Sequence, residues 1–192
     1  MSGVCVLACQ ALALEIQAVL ARMDLAIPVE SLPAELDMYP SRLRRRLEAK
    51  LGDLTAEFDR VVVAYGRCCP LIDDLVMKCK AQRLPGESCY EILGGSEFAE
   101  TLGLDGAYYL TPFLCRTFER VTSNAFGNIA QMKEQLSQTR TLIYLDTGMD
   151  PRLVGKAGEI ASALAMNLEV RPVGLKNLQD RLVLALNEEF CK

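Results

Sequence analysis

The sequence predicts an α/β protein with a mainly parallel, doubly wound (Rossmann-like) sheet and helices on both faces. Residues 61–64 and 141–145 are short apolar runs with the composition of buried strands. Segments of about a dozen residues lie between such runs, and their apolar side chains recur every three or four positions, as on a helix face. Strands that alternate with helices of this length are typical of parallel sheets.

The first half of the chain begins with a valine-rich run and then shows apolar side chains at helical spacing. Pro40 opens a later helix, because proline is favoured at a first helical position. The apolar stripe of that helix consists of Leu43, Leu47, Leu51 and Leu54. The predicted strands span residues 4–8, 27–29, 61–64 and 89–93, and the predicted helices span residues 12–23, a segment opening at Pro40, residues 71–82 and residues 96–102.

The second half follows the same alternation. Asp150 and Pro151 mark the start of one helix, since a capping aspartate followed by proline is a common helix beginning. The predicted strands span residues 107–110, 141–145 and 170–173, and the predicted helices span residues 113–137, 153–168 and 178–186. Because the sequence shows no repeat, linker or low-complexity tract, we interpret residues 1–192 as a single domain. Two halves that divide near residue 100 are the alternative.

The composition narrows the classes of partner. Of the 192 residues, 51% are hydrophobic, so a core can form without disulfides. The net charge of −4 argues against a nucleic-acid-binding protein, which would carry clustered basic surface. Glu15 interrupts the apolar N-terminal region well before a membrane span is reached, and no basic leader precedes it. We therefore expect a cytoplasmic protein without a membrane partner.

Histidine does not occur in the sequence. This excludes Ser-His-Asp and Cys-His catalysis and any histidine-ligated zinc. Cysteine, aspartate, glutamate, lysine and tyrosine remain to carry the chemistry. Without a signal peptide, the eight cysteines are expected to be reduced thiols.

Three cysteines, Cys9, Cys68 and Cys89, follow or lie within predicted strands in three distant segments. Ligands of doubly wound sheets bind beyond the carboxyl ends of the strands, so these thiols could meet at one edge. Three thiolates would suit zinc with an open position, or an iron–sulfur cluster with one non-cysteine ligand. The alternative is that they are small buried apolar side chains. Cys69 is a substitute ligand or redox partner, and no role is assigned to the cysteines at positions 5, 79, 115 and 191.

Other polar or glycine residues at the same strand ends are candidates for binding a cofactor. They are Tyr65, Gly66, Tyr109, Thr111, Asp146, Thr147 and Gly148. The Asp-Thr-Gly sequence resembles that of aspartic proteases, but those enzymes need two such carboxylates in an all-β framework. A structural turn at Asp146 and packing roles for the tyrosines are the alternatives.

Four arginines crowd the first turns of the helix that opens at Pro40. They are Arg42, Arg44, Arg45 and Arg46, with Glu48 and Glu57 further along. A solvated helix face is the interpretation we favour, and phosphate binding is the alternative.

Short motifs along nearly the whole chain resemble the family known as domain of unknown function 1638, whose members are uncharacterised proteins of anaerobic bacteria and archaea. The matching pieces include Ala8-Cys9-Gln10-Ala11-Leu12, Tyr65-Gly66-Arg67-Cys68, Ser88-Cys89, Gly106-Ala107-Tyr108-Tyr109-Leu110-Thr111-Pro112 and Tyr144-Leu145-Asp146-Thr147-Gly148. The resemblance implies that cysteines at positions 9, 68 and 89 belong to the family pattern. It also implies histidines where Asp37 and Glu87 stand here, so that either carboxylate could replace an imidazole as ligand or base.

The resemblance further implies a link to one-carbon metabolism, because relatives are often encoded beside corrinoid-dependent methyltransferases. We therefore expect a metal-binding or iron–sulfur protein that serves methyl-group metabolism, with a corrinoid protein or methyltransferase as partner. One alternative is a metal-free thiol enzyme that uses Cys68 or Cys89 as nucleophile at a helix N-terminus. Another is a non-catalytic accessory subunit.

Overall fold

The computed structural model describes residues 3–67, 72–98 and 106–187. The described residues form seven strands, all paired in parallel. The strands are β1 (Val4–Cys9), β2 (Val29–Leu32), β3 (Arg60–Ala64), β4 (Gln82–Arg83), β5 (Ala107–Leu110), β6 (Thr141–Asp146) and β7 (Asn167–Pro172). The predicted α/β class with parallel strands is confirmed.

Nine α-helices connect or follow these strands within the described ranges. They are α1 (Gln10–Arg22), α2 (Pro40–Glu57), α3 (Ile72–Lys78), α4 (Cys89–Gly94), α5 (Pro112–Arg116), α6 (Phe118–Phe126), α7 (Ile129–Gln135), α8 (Arg152–Leu164) and α9 (Lys176–Asn187). Short 3₁₀ turns span Ala34–Met38 and Ser96–Phe98. No helix in the described part of the chain has the length and apolar character needed to cross a membrane.

The strands form two separate sheets in two compact units. The first unit comprises residues 1–96 and 175–192, and its sheet has the order β2-β1-β3-β4. The second unit comprises residues 97–174, and its sheet has the order β5-β6-β7.

The core of the first unit lies around β1 and β3, whose central residues are buried on both faces. This explains why both strands were recognisable as continuous apolar runs. Helix α2 packs through the predicted stripe of leucines, all of which are buried. Its apolar side chains recur every three or four residues because only one face contacts the core.

Several predicted elements differ from the structure in type or extent. The predicted strand at residues 89–93 is helix α4, capped by the Ser88 side chain. The helix predicted over residues 71–82 ends at Lys78, and Gln82 and Arg83 instead pair with β3. The helix predicted to reach residue 168 ends at Leu164, because the strand β7 begins at Asn167 and pairs with β6.

The long helix predicted over residues 113–137 is divided into α5, α6 and α7. Gly127 ends α6 with a backbone φ of 82°, a left-handed conformation that glycine adopts without strain. Of the helix predicted over residues 96–102, the structure describes a 3₁₀ turn at its start, and its remaining positions lie outside the described residues.

Candidate functional site

The strand order of the first unit creates a switch point between β1 and β3. From β1 the chain passes outward to β2 and then returns to the opposite side of β1 to form β3. The connections on the two sides of β1 therefore diverge beyond the carboxyl ends of these strands, which is where the crevice of an open parallel sheet forms. In open parallel sheets this crevice is the usual position of a ligand.

Cys9 is the last residue of β1 and lies at this edge. It pairs in register with Leu32 of β2, and the preceding residue, Ala8, pairs with Ala64 of β3. Tyr65 therefore begins the segment that leaves β3 at the same edge. Cys9 is also the residue from which the 13-residue helix α1 begins, and it is 3% exposed.

The segment after β3 contacts the segment before α4 through their backbones. A Cβ atom at Gly66 would lie 2.5 Å from the Ser88 Cα and 2.6 Å from the Glu87 carbonyl oxygen. The Arg67 backbone N–H donates to the same carbonyl, at 2.7 Å between N and O. Only glycine permits this approach, which brings together the segments that precede Cys68 and Cys89 in sequence.

Charged side chains also connect the two segments. The Arg67 guanidinium binds Asp73 (Nε to Oδ2, 2.8 Å) and Glu87 (Nη1 to Oε1, 2.5 Å). Arg83 binds the other oxygen of Asp73 at 2.8 Å and donates to the Tyr65 and Gly86 carbonyl oxygens. Hydrogen bonding to Arg67 is the main reason that the pKa of Asp73 lies below its ordinary value.

Cys89 is the first residue of α4 and is half-buried. The prediction of a strand at this position was wrong because the Ser88 hydroxyl accepts the Glu91 backbone N–H, at 3.2 Å, and so starts a helix. The Glu91 carboxylate in turn accepts the Glu87 backbone N–H at 2.6 Å. The Ser-x-x-Glu spacing of a capping box was visible in the sequence and signals this helix start.

Cys68 and Cys69 lie outside the described residues. Among the residues that the structure describes, no group of three or more cysteine, aspartate or glutamate side chains could hold a metal ion. The predicted metal site therefore stays a prediction.

The two carboxylates that the resemblance suggested as replacements for histidine, Asp37 and Glu87, differ in their surroundings. Glu87 is exposed and paired with Arg67. Asp37 lies in the turn that follows β2, and its Oδ1 is buried without a hydrogen-bond partner among the described residues. Burial raises the pKa of Asp37 to about 6. Of the two carboxylates, Asp37 is therefore the one that could act as a base or as a metal ligand.

Two other cysteines have the properties of core residues. Cys5 and Cys115 are both fully buried. Burial raises the pKa of the Cys5 thiol and raises the pKa of the Cys115 thiol to about 11. Thiols of this kind are poor nucleophiles at neutral pH.

The predicted cofactor-binding residues of the second unit take part in local structure. The Thr111 hydroxyl caps α5 by accepting the Leu114 backbone N–H at 3.2 Å. The Asp146 carboxylate accepts the Gly148 backbone N–H at 2.8 Å, which forms a turn in which Gly148 has a φ of 70°. Tyr109 is 4% exposed and its ring meets Phe98 edge to face, with centroids 6.0 Å apart. Thr147 is also buried.

The strand order of the second unit offers no switch point among its described strands, because β5, β6 and β7 are neighbours in chain order. A groove of about 370 Å³ does lie between α6, α7 and α8. None of the residues predicted to bind a cofactor or metal lines it. The candidate site in the first unit therefore rests on its strand order and on the Gly66–Ser88 contact.

The clamp formed by Arg67, Asp73 and Arg83 was not predicted from the sequence. Its members come from three segments and have no characteristic spacing, so no local signal marked them. Arg83, whose side chain is only 12% exposed, links Asp73 to the carbonyl oxygens of Tyr65 and Gly86.

Comparisons with known proteins identify a family but no activity. A family model described as "Protein of unknown function (DUF1638)" matches residues 31–182. No curated protein matches. One similar solved structure is a proposed Asp/Glu racemase from Yersinia pestis, with 11% sequence identity and a TM-score of 0.38 over 96% of this chain and 100% of that one. A likeness of this size supports no inference about the reaction.

Proposed function

Because the chain belongs to the DUF1638 family, whose description assigns no activity, we propose a function from the geometry of the first unit. We propose that the thiolates of Cys9, Cys68 and Cys89 bind a metal ion, either zinc or the iron of an iron–sulfur cluster. The bound centre serves methyl-group metabolism in the cytoplasm.

The observation that carries the proposal is the backbone contact between Gly66 and Ser88 beside the β1–β3 switch point. Gly66 precedes Cys68 by two residues, and Ser88 immediately precedes Cys89. Cys9 ends β1 at the same edge of the sheet. The described residues that precede or carry these cysteines therefore lie near the same edge of the sheet, which supports the proposal.

The donor set fits a thiophilic metal. Thiolates are preferred ligands of zinc and of iron–sulfur clusters, and three of them leave one coordination position for water, substrate or a further protein ligand. The buried oxygen of Asp37 is a candidate for that position, since it has no partner among the described residues. Tyr65 and Gly66 would form the wall of the crevice on the β3 side.

The family resemblance extends the proposal to a partner. Relatives encoded beside corrinoid-dependent methyltransferases favour a corrinoid protein or a methyltransferase as the molecule that docks at this crevice. Co-purification of the anaerobically prepared protein with such a partner, tested with and without bound metal, measures this part of the proposal separately.

Metal analysis of anaerobically purified protein, combined with absorption spectroscopy, tests the proposed centre. Wild-type protein should contain zinc, or iron and sulfide with visible absorption, and Cys9→Ser, Cys68→Ser and Cys89→Ser should each lower the metal content. Cys79→Ser is the matched control, because Cys79 is also a partly buried cysteine of the first unit. A folded triple serine variant with wild-type metal content would refute the proposal.

A metal-free thiol enzyme is the second candidate, and the position of Cys89 favours it. Cys89 is the first residue of α4, where the helix N-terminus stabilises a thiolate. Peptide mapping after brief treatment with iodoacetamide at neutral pH would then show Cys89 modified well before Cys79. Equal rates at the two cysteines would exclude this alternative for Cys89.

A further inference from the structure

Three arginines on α2 line one cavity in the first unit. Arg42, Arg45 and Arg46 occupy positions i, i+3 and i+4, so their side chains are neighbours on the helix surface. With Leu36 from the preceding turn they line a surface cavity of about 400 Å³ that is open to solvent. Arg44, which lies between them in sequence, does not line it.

The orientation of this face is fixed by the core. Leu43 and Leu47 are fully buried and anchor α2, so the arginines must point away from the sheet. The Arg42 guanidinium lies over the Tyr39 ring, 5.1 Å from its centroid, which further restricts that side chain.

The charge of the cavity is uncompensated. Among the described residues, no ion pair involves Arg42, Arg45 or Arg46. Two lysines on or near this helix are paired with carboxylates, since Lys50 binds Glu30 at 3.0 Å and Lys78 binds Glu48 at 2.5 Å. Three neighbouring guanidinium groups are thus left without a carboxylate partner in the part of the chain that the structure describes.

We propose that this cavity binds a diphosphate group, either as the free anion or as part of an organic phosphate. Guanidinium groups offer only hydrogen-bond donors, so the occupant must supply acceptor oxygens and negative charge. A single carboxylate engages one such group in a bidentate manner, whereas a diphosphate has enough oxygens and charge for three. Arg42 also lies in the first turn of an 18-residue helix, where the helix dipole favours an anion.

The proposed diphosphate site differs from the solvated helix face that we favoured from the sequence. The sequence alone does not show how the four arginines are arranged. In the structure, three of them line the same cavity. The proposed site does not depend on the proposed metal centre, because none of the cysteines lines this cavity.

Isothermal titration of the full chain with inorganic pyrophosphate tests the proposal. Arg45→Gln and Arg46→Gln should each weaken binding by about tenfold or more, because each removes a charge-assisted contact. Arg45→Lys should bind with intermediate affinity, since the charge remains but the planar fork is lost. Arg44→Gln is the matched control and should change the affinity by less than about twofold, as it retains all three lining arginines.

A parallel titration with a nucleoside diphosphate distinguishes the source of the group. If the nucleoside diphosphate binds more tightly than pyrophosphate, the natural occupant is an organic phosphate. If it binds equally or more weakly, the occupant is the free anion. The proposal is overturned if wild-type protein does not bind pyrophosphate, or if Arg44→Gln weakens binding as much as Arg45→Gln. Tighter binding of a single-stranded oligonucleotide than of either phosphate would also overturn it. Circular dichroism confirms that each variant is folded.

Discussion

Gly66 and Ser88 are so close that the hydrogen of the glycine is the only substituent that fits between them. A Cβ atom on Gly66 would be 2.5 Å from the Ser88 Cα and 2.8 Å from its backbone nitrogen. The contact joins the segment after β3 to the start of α4. It is therefore both a packing constraint and the feature that organises the candidate site.

Gly66→Ala should destabilise the protein by at least about 2 kcal/mol, because the atoms that must give way belong to the backbone rather than to a flexible side chain. Urea unfolding, with fluorescence or circular dichroism as the signal, measures the change. If the proposed metal centre exists, the same substitution should also reduce the metal content of the folded fraction.

Gly52→Ala is the matched control. Gly52 lies inside α2, and a Cβ atom there would have no neighbour within 4 Å. Alanine is favoured over glycine in a helix, so this variant should be more stable by about 0.5–1 kcal/mol. Equal effects of the two substitutions would show that the Gly66 contact is absent in solution.

Arg181 connects α9 to the loop that precedes α4. Its guanidinium donates to the Pro85 carbonyl oxygen and binds the Glu91 carboxylate at 3.2 Å, and the two charged side chains are only 17% and 11% exposed. Arg181→Gln should cost about 2–3 kcal/mol, since it leaves the Glu91 charge buried without this partner. Urea unfolding of this variant measures the loss.

Lys176 and Asp180 provide the comparison on the same helix. They form an ion pair at 2.7 Å, but their side chains are 82% and 59% exposed. Water and salt screen such a pair, so Lys176→Gln should leave the stability essentially unchanged. A larger loss from Lys176→Gln than from Arg181→Gln would contradict the argument from burial.

Two substitutions of Asp146 test whether this residue stabilises the second unit through its hydrogen bond to Gly148 or through its negative charge. Asp146→Asn keeps an oxygen that can accept the Gly148 N–H, so the stability should change little. Asp146→Ala removes that acceptor and should cost about 1 kcal/mol. Thermal unfolding of the two variants measures the difference. Similar losses from both variants would mean that the negative charge, and not the turn, is what Asp146 contributes.

The elements that could be predicted are those whose burial produces a recognisable pattern of apolar residues in the local sequence. Strands β1 and β3 are buried on both faces and therefore read as apolar runs. Helix α2 exposes one face, and its leucines repeat with the helical period. In each case the spacing of apolar residues follows directly from which faces of the element are buried.

The elements that could not be predicted depend on contacts with distant residues. Gln82 and Arg83 are polar and form a strand only because they pair with Val62 and Val63 of β3. The β1–β3 switch point depends on the order of strands in the sheet, which no local pattern encodes. By contrast, the helix at Cys89 was missed although the Ser88-x-x-Glu91 spacing was visible, because the apolar residues after it resembled a strand.

Asp37 should make the stability of the protein fall as the pH rises through the weakly acidic range. The pKa of this carboxyl group is about 6 in the folded protein and 3.8 in its ordinary state, so the folded form holds the proton more tightly. Between these values, rising pH removes the proton and stability is lost. By pH 7 the buried charge should cost up to about 3 kcal/mol.

Asp37→Asn removes this cost because the amide has no charge to bury. Urea unfolding in the presence of a chelator should show the variant to be more stable than the wild-type protein at pH 7, with the two curves converging below about pH 4. Asp53→Asn, which removes an exposed carboxylate from α2, should follow the wild-type pH dependence. A wild-type protein that gains stability relative to Asp37→Asn between pH 4 and pH 7 would show that Asp37 is ionised and paired, contrary to the geometry described for its Oδ1.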